Sequence, residues 1–165
     1  MKPTIRRILV PTDFSPSSMR ALDYAATLAG CLDASIDLIH VRQDPLAAKG
    51  AWEFYLPESE DVRERMYQEA RAKLSAMAAS FLDSGVRITI EVRTGSPTDE
   101  INAAAVARGS ELIVMGTHGR TGLSHLLLGS IAERTLRTAP CPVLAVREAL
   151  VEVAGTEKAA ELAHA

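Results

Sequence analysis

The chain has 165 residues, of which 47% are apolar and 24% charged, and its formal net charge is −3. This size and composition predict one globular domain with a real core, and they exclude a disordered, collagen-like or disulfide-stapled chain. The stretch 148–165 holds four of the 21 acidic residues and one of the 18 basic ones, so the remainder is electrically balanced, which argues against a nucleic-acid binder.

The first part of the chain reads as strand, helix, strand. Ile8-Leu9-Val10 predicts a strand that ends near Thr12-Asp13. Ser15 is placed to cap the helix that follows, with Pro16 at its first position, where a missing N–H costs nothing. Residues 35–41 predict a second strand, and the irregular stretch 43–57 predicts a long loop, either a lid over a ligand or a variable surface excursion.

The middle of the chain predicts a helix over 58–83 and a strand over 86–92. Apolar residues at helical spacing are expected to face inward on that helix, and Gly85 is expected to end it. These inward residues are Met66, Ala70, Leu74, Met77 and Phe81.

The last part repeats the pattern. Ser96-Pro97 predicts a helix start of the same kind as Ser15-Pro16, and Gly109 follows the expected helix end at Arg108. Residues 111–115 are a continuous apolar strand, as expected when both faces are covered. A glycine-rich loop, a helix over about 130–138 and a strand over 143–146 complete the series.

Five strands therefore alternate with four helices. Such alternation predicts an α/β fold, an open doubly wound parallel sheet with helices on both faces, as in Rossmann-like proteins. Ligands of these sheets bind outside the carboxyl ends of the strands, where the strand order reverses.

Two strand ends carry unusual residues. The first is the segment 11–15, and the second runs from Gly116 to Gly129-Ser130. Glycines let backbone N–H groups approach an anion closely, and a helix that begins at Ser130 favours negative charge at its start. Thr117 adds a hydroxyl and Arg120 a cation, so this loop is a candidate phosphate site; glycines that only form turns are the alternative.

Three polar residues keep two interpretations each. Asp13 contacts a ligand or caps the helix after it. His118 belongs to the phosphate site or is an ordinary loop residue, and His40 is more often a satisfied structural histidine than a ligand contact. Cys31 and Cys141 are too few for a disulfide framework or a zinc site and predict reduced thiols.

The start of the chain lacks the apolar stretch of a signal peptide, and no run of about 18 apolar residues occurs. We therefore expect a cytoplasmic protein without a membrane partner.

The loop resembles the nucleotide-binding signature of the universal stress protein family. Gly116-x2-Gly119-x9-Gly129-Ser130 matches that signature at each fixed position, and residues 8–15 and 140–146 extend the likeness. The resemblance covers roughly residues 4–147, which assigns 1–147 to one nucleotide-binding domain and 148–165 to an acidic Ala/Glu-rich tail of unknown role. It implies a sheet ordered 3-2-1-4-5, similar to adenine nucleotide alpha-hydrolases.

The resemblance also implies roles for individual residues. Thr12 and Val41 would hold adenine through backbone groups, and Met115 would pack beside the nucleoside. Asp13 would contact the ribose hydroxyls or a divalent metal, Mg²⁺ or Mn²⁺. The residues expected around the phosphates are Gly116, His118, Gly119, Gly129, Ser130 and Ile131.

These features predict an ATP-binding stress-response protein with slow or no turnover. The P-loop lysine pattern is absent, and no second acidic residue or catalytic Asp stands out, so at most weak ATPase or autophosphorylation activity is expected. The alternatives are a nucleotide-free dimeric interaction module and a related adenylyl-transferring enzyme, whose usual S-G-G-x-D-S or H-x-G-H strings do not occur. The apolar strand 143–146 would lie at a sheet edge, which predicts a homodimer through Val143–Val146.

Overall fold

A computed structural model of the protein describes residues 4–43, 59–117 and 129–147. The described residues form five strands and four helices in alternation. The strands are β1 (Arg7–Pro11), β2 (Ser35–Gln43), β3 (Ile88–Gly95), β4 (Leu112–Gly116) and β5 (Val143–Val146). The helices are α1 (Pro16–Leu32), α2 (Glu60–Ala79), α3 (Pro97–Arg108) and α4 (Ser130–Thr138).

The strands make one parallel sheet in the order β3-β2-β1-β4-β5. The order 3-2-1-4-5 and the α/β class are confirmed. The chain runs outward from β1 to β3 and then returns to the other side of β1, so the strand order reverses between β1 and β4. This reversal leaves a crevice at the carboxyl ends of the two central strands.

Two apolar clusters hold the helices against the sheet, one on each face. The first packs α1 and α2 on Ile8, Val10 and Leu38. The second packs α3 and α4 on Leu9, Ile39 and Ile113. Neighbouring residues of a strand point to opposite faces, so residues 8–11 of β1 and the whole of β4 are apolar, as a sheet buried on both faces requires.

Local signals set most helix ends. The Ser15 side chain accepts a hydrogen bond from the Ser18 N–H and caps α1, with Pro16 in its first turn. Gly109 ends α3 with a left-handed φ of 62°, which glycine adopts without a steric cost. The predicted bounds of α3 and α4 are confirmed.

The end of α2 differs from the expectation. The helix begins at Glu60 behind a Ser59 cap and stops at Ala79, and a short 3-10 turn over Leu82–Ser84 follows. Gly85, at φ 73°, ends that turn rather than the α-helix. Strand β3 accordingly starts at Ile88 and runs to Gly95, and β2 extends two residues beyond Val41.

The inward face of α2 is also shorter than expected. Ala70, Leu74 and Met77 are buried, and Phe81 packs partly against the same cluster. Met66, however, is 42% exposed, so its predicted core position is wrong. The reason is that α2 covers the sheet only from Ala70 onward, and residues 59–69 are all exposed. None of the described helices is both long and apolar enough to cross a membrane.

Candidate functional site

The two unusual strand ends meet at the crevice. β1 pairs directly with β4, with Leu9 opposite Ile113, so the turn after Pro11 and the segment after Met115 lie side by side. The predicted proximity of the two strand ends is confirmed.

Gly116, at the end of β4, lies against Ser17 in the first turn of α1. A Cβ placed on it would lie 2.5 Å from the Ser17 Oγ and 2.9 Å from the Ser17 carbonyl carbon and oxygen. Distances under 3.0 Å essentially never occur for real Cβ atoms, so only glycine fits between β4 and the first turn of α1. The glycine is thus a packing requirement as well as a candidate phosphate contact.

The start of α4 is tied to the end of β4. The Gly129 N–H donates to the Thr117 carbonyl at 2.8 Å, and the Thr117 N–H donates to the Val146 carbonyl at 3.0 Å. Gly129 has no side chain, so it cannot accept a hydrogen bond from the first N–H groups of the nine-residue helix α4. Ser130 and Ile131 are exposed in that first turn. The predicted phosphate residues Gly116, Gly129 and Ser130 are therefore brought to one end of the sheet.

Hydrogen bonds fix the turn between β1 and α1. The buried Thr12 Oγ1 accepts from the Phe14 N–H at 3.0 Å and lies 2.9 Å from the Ser18 Oγ. The Thr12 N–H donates to the Ile39 carbonyl at 2.8 Å. Phe14 adopts a left-handed φ of 66°, which is uncommon for a residue with a bulky side chain. Hydrogen bonds from its own side chains and backbone therefore fix the conformation of this turn.

Asp13 is part of this turn and is half-buried. Its Oδ1 accepts from the Ser15 N–H at 3.1 Å. The cap of α1 is Ser15, so the alternative in which Asp13 caps the helix does not hold. Within the described part of the chain no three metal-ligating side chains cluster, and the role of Asp13 toward ribose or a metal stays a prediction.

Val41 lies beyond the end of β1. β1 and β2 pair up to Pro11 opposite Ile39, whereas β2 continues to Gln43. The peptide groups of alternate β2 residues face β1, so those of Val41 face the crevice. The backbone of Val41 therefore faces the crevice, and its contact with a base stays a prediction.

The remaining predicted residues fall into two groups. Met115 is 5% exposed and packs in the cluster with Leu9 and Ile39 beneath the crevice, and its contact with a nucleoside stays a prediction. His118, Gly119 and Arg120 lie outside the described residues, as do the greater part of the loop 43–57 and the tail 148–165.

Three side chains beside the turn were not assigned to the site from sequence. The His40 Nδ1 lies 2.8 Å from the Thr12 carbonyl oxygen, and its ring packs on Phe14 with centroids 4.4 Å apart. The Lys73 Nζ lies 5.5 Å from the centre of the Phe14 ring. The expectation that His40 is satisfied structurally is met by this hydrogen bond, which also places it at the site. The only sequence signal was its position one residue before Val41.

The model of the universal stress protein family matches residues 4–147. Universal stress protein MJ0531 of Methanocaldococcus jannaschii is 41% identical over 147 residues, which cover 87% of this chain and 82% of that protein.

Two solved structures share the fold. One, MJ0577, described as a test case for assigning biochemical function from structure, has a TM-score of 0.76 at 28% identity, covering 89% of this chain and 99% of its own. The other, a universal stress protein from Archaeoglobus fulgidus in complex with dAMP, has a TM-score of 0.58 at 20% identity and covers 87% and 98%. At that identity the likeness shows the fold alone.

Proposed function

The chain belongs to the universal stress protein family, and we propose that it binds an adenine nucleotide, with ATP as the ligand, in the crevice between β1 and β4. The single observation that supports this most is the meeting of the Val41 peptide, the Asp13 turn and the uncapped start of α4 at one end of the sheet. The fold itself accommodates such a ligand, since the Archaeoglobus protein that shares it was solved with dAMP.

The Val41 peptide would recognise the base through hydrogen bonds. An extended residue presents its N–H and C=O on the same side, and adenine offers a matching acceptor at N1 and donor at N6. Guanine offers a donor at N1 and an acceptor at O6, which would oppose both groups. The Thr12 N–H is already bonded to Ile39, so Thr12 would contribute through its carbonyl oxygen, which keeps a second lone pair.

The phosphates would lie at the start of α4. Its first N–H groups point out of the helix without a cap, and the dipole of the helix favours negative charge there. Ser130 would add a hydroxyl, and the predicted contacts of Thr117, His118, Gly119, Arg120 and Ile131 belong to the same group. Hydrogen bonds from backbone amides to a charged acceptor contribute about 1.5–3 kcal/mol each, enough in number for micromolar affinity.

Asp13 would hold the ribose hydroxyls or a divalent ion, Mg²⁺ or Mn²⁺. One of its oxygens already accepts from the Ser15 N–H, which directs the carboxylate. A carboxylate oxygen is a ligand that both ions accept. A metal held by Asp13 would complete its shell with phosphate oxygens and water.

Turnover is expected to be slow or absent. Phosphoryl transfer needs charge neutralisation and a positioned nucleophile, and the sequence has no P-loop lysine. The protein would then act as a cytoplasmic nucleotide-dependent signalling module of the stress response, with at most weak hydrolysis or autophosphorylation.

The same fold supports a homodimer. β5 is an edge strand of the described sheet and pairs with β4 alone there, and Leu144 is 37% exposed. Ile131 and Leu136 on the adjacent α4 are also exposed apolar residues. Pairing of Val143–Val146 with the same strand of a second copy would cover this edge by a two-fold axis. Light scattering at micromolar concentration should give the dimer mass, and Leu144→Lys should give the monomer.

A direct experiment identifies the ligand. The purified protein, denatured after extensive desalting, should release an adenine nucleotide that mass spectrometry detects, or should take one up when incubated with a mixture of ATP, GTP, CTP and UTP. Recovery of no nucleotide in either form would favour the nucleotide-free interaction module instead.

A further inference from the structure

The hydrogen-bond ladder between β1 and β2 ends before β2 does, since the last paired residues are Pro11 and Ile39 and β2 continues to Gln43. Its last rung is the Thr12 N–H to the Ile39 carbonyl, at 2.8 Å. In a parallel ladder of this register, the next two rungs would join the Val41 N–H to the Thr12 carbonyl and the Phe14 N–H to the Val41 carbonyl. Both would consume the Val41 peptide groups that face the crevice.

Two side chains occupy the places of those rungs. The His40 Nδ1 lies 2.8 Å from the Thr12 carbonyl oxygen, in place of the Val41 N–H. The Thr12 Oγ1 accepts from the Phe14 N–H at 3.0 Å, in place of the Val41 carbonyl. Among the described residues no backbone hydrogen bond joins Val41 to the turn after β1.

We propose that His40 is a positioning residue that ends the β1–β2 ladder and so keeps the Val41 peptide open to the base of the bound nucleotide. This inference rests on the proposed nucleotide site. His40 acts through the Thr12 carbonyl and does not itself contact the ligand.

The protonation of His40 follows from its partner. A carbonyl oxygen only accepts, so the imidazole carries a hydrogen on Nδ1 and donates it to Thr12. The ring is held for this by Phe14, whose ring centroid is 4.4 Å away at an interplanar angle of 37°. Phe14 itself has a left-handed φ of 66°, and the Lys73 Nζ lies 5.5 Å from the centre of its ring. Phe14 therefore helps to hold the His40 ring in place.

Two substitutions of His40 distinguish the role of its Nδ1 hydrogen-bond donor from the role of its ring. His40→Asn keeps an N–H donor close to the place of Nδ1 and removes the ring. His40→Phe keeps the ring on Phe14 and removes the donor, which frees the Thr12 carbonyl for the Val41 N–H. Both variants are checked for folding by circular dichroism and thermal unfolding.

Two readouts test the proposal. The first is hydrogen exchange of the Val41 amide by NMR without nucleotide, where His40→Phe should slow exchange at least about tenfold as the rung forms, and His40→Asn should leave it near the parent rate. The second is the dissociation constant of ATP, which should rise at least about tenfold in His40→Phe and less than about threefold in His40→Asn.

Contrary results are distinct. Unchanged Val41 exchange in a folded His40→Phe variant would overturn the proposal, and so would loss of ATP binding in His40→Asn with full binding in His40→Phe. Failure of the parent protein to bind ATP would overturn the proposed function, while the exchange measurement would still decide whether His40 ends the ladder.

Discussion

Gly116 at the end of β4 lies against Ser17 in the first turn of α1, so closely that a Cβ on Gly116 would stand 2.5 Å from the Ser17 hydroxyl oxygen. This contact packs the end of β4 against the helix that follows β1. It explains in packing terms why β4 ends with a glycine.

Gly116→Ala should therefore destabilise the protein. The added methyl group meets the Ser17 backbone as well as its side chain, and overpacking of this kind costs about 1–3 kcal/mol. Ser17→Ala in the same chain should recover only part of that loss, because two contacts at 2.9 Å are with backbone atoms. Chemical denaturation measures both effects.

Gly30→Ala is the matched control for that substitution. Gly30 lies in α1 and has nothing within 4 Å of its potential Cβ. It should change the free energy of unfolding by no more than about 1 kcal/mol, in the stabilising direction. If Gly116→Ala were as stable as Gly30→Ala, the close contact between β4 and α1 would be refuted.

Thr12→Val should loosen the turn that carries Asp13. The substitution preserves shape and removes the hydroxyl that accepts from the Phe14 N–H and lies 2.9 Å from the Ser18 Oγ, which costs about 1–3 kcal/mol. Thr27→Val removes an exposed hydroxyl bonded to the Asp23 carbonyl and should cost less than about 0.5 kcal/mol. Equal unfolding midpoints for the two variants would contradict the assigned role of Thr12.

Arg108 should stabilise the sheet more than an ordinary surface arginine does. Its guanidinium lies 3.2 Å from Asp37 Oδ1 and 2.7 Å from Glu91 Oε2, and the Asp37 side chain is only 7% exposed. The hydrogen bond to Glu91, together with the charge of Asp37, raises the pKa of Arg108 above its ordinary value, so the arginine stays charged at any accessible pH.

Arg108→Ala should accordingly cost about 1–3 kcal/mol, below the about 3–5 kcal/mol of a fully buried pair because the guanidinium is partly exposed. Asp37→Asn added to it should restore part of the loss, since the buried charge is removed. Arg137→Ala, which breaks an exposed pair with Glu133, is the control and should cost less than about 0.5 kcal/mol. Equal losses of stability at Arg108 and Arg137 would show that the contacts of Arg108 with Asp37 and Glu91 stabilise the fold no more than an exposed ion pair does.

The two cysteines should react at different rates. Cys31 is exposed, whereas Cys141 is partly covered, and burial raises the pKa of its thiol. The thiolate is the reactive form, so at pH 8 iodoacetamide should label Cys141 at least about tenfold more slowly than Cys31, and the difference should shrink as the pH rises through the raised pKa. Denaturation in urea should equalise the rates; faster labelling of folded Cys141 would contradict its burial.

The sequence predicted the order of elements and the meeting of the two strand ends because those depend on local signals. Ser15-Pro16, Ser96-Pro97 and Gly109 act within one turn of the chain, and the apolar strand before Gly116 is buried on both faces. Helical periodicity also predicted which side of α2 faces the core. It could not predict where the sheet below that helix ends, which is why Met66 was misplaced.

The part of the site that escaped prediction depends on register. His40 replaces a ladder rung only because the register that pairs Pro11 with Ile39 brings the Thr12 carbonyl within reach of the residue after Ile39. The Ser17 contact likewise depends on how α1 crosses the end of β4. Neither relation is encoded in a spacing along the chain.

The most direct test is calorimetric titration of the nucleotide-free protein with ATP and, separately, with GTP, both with Mg²⁺ present. We predict micromolar binding of ATP, about −8 kcal/mol, and binding of GTP at least about tenfold weaker, because the Val41 peptide would match adenine and oppose guanine. Absence of ATP binding, or equal affinity for the two nucleotides, would contradict it.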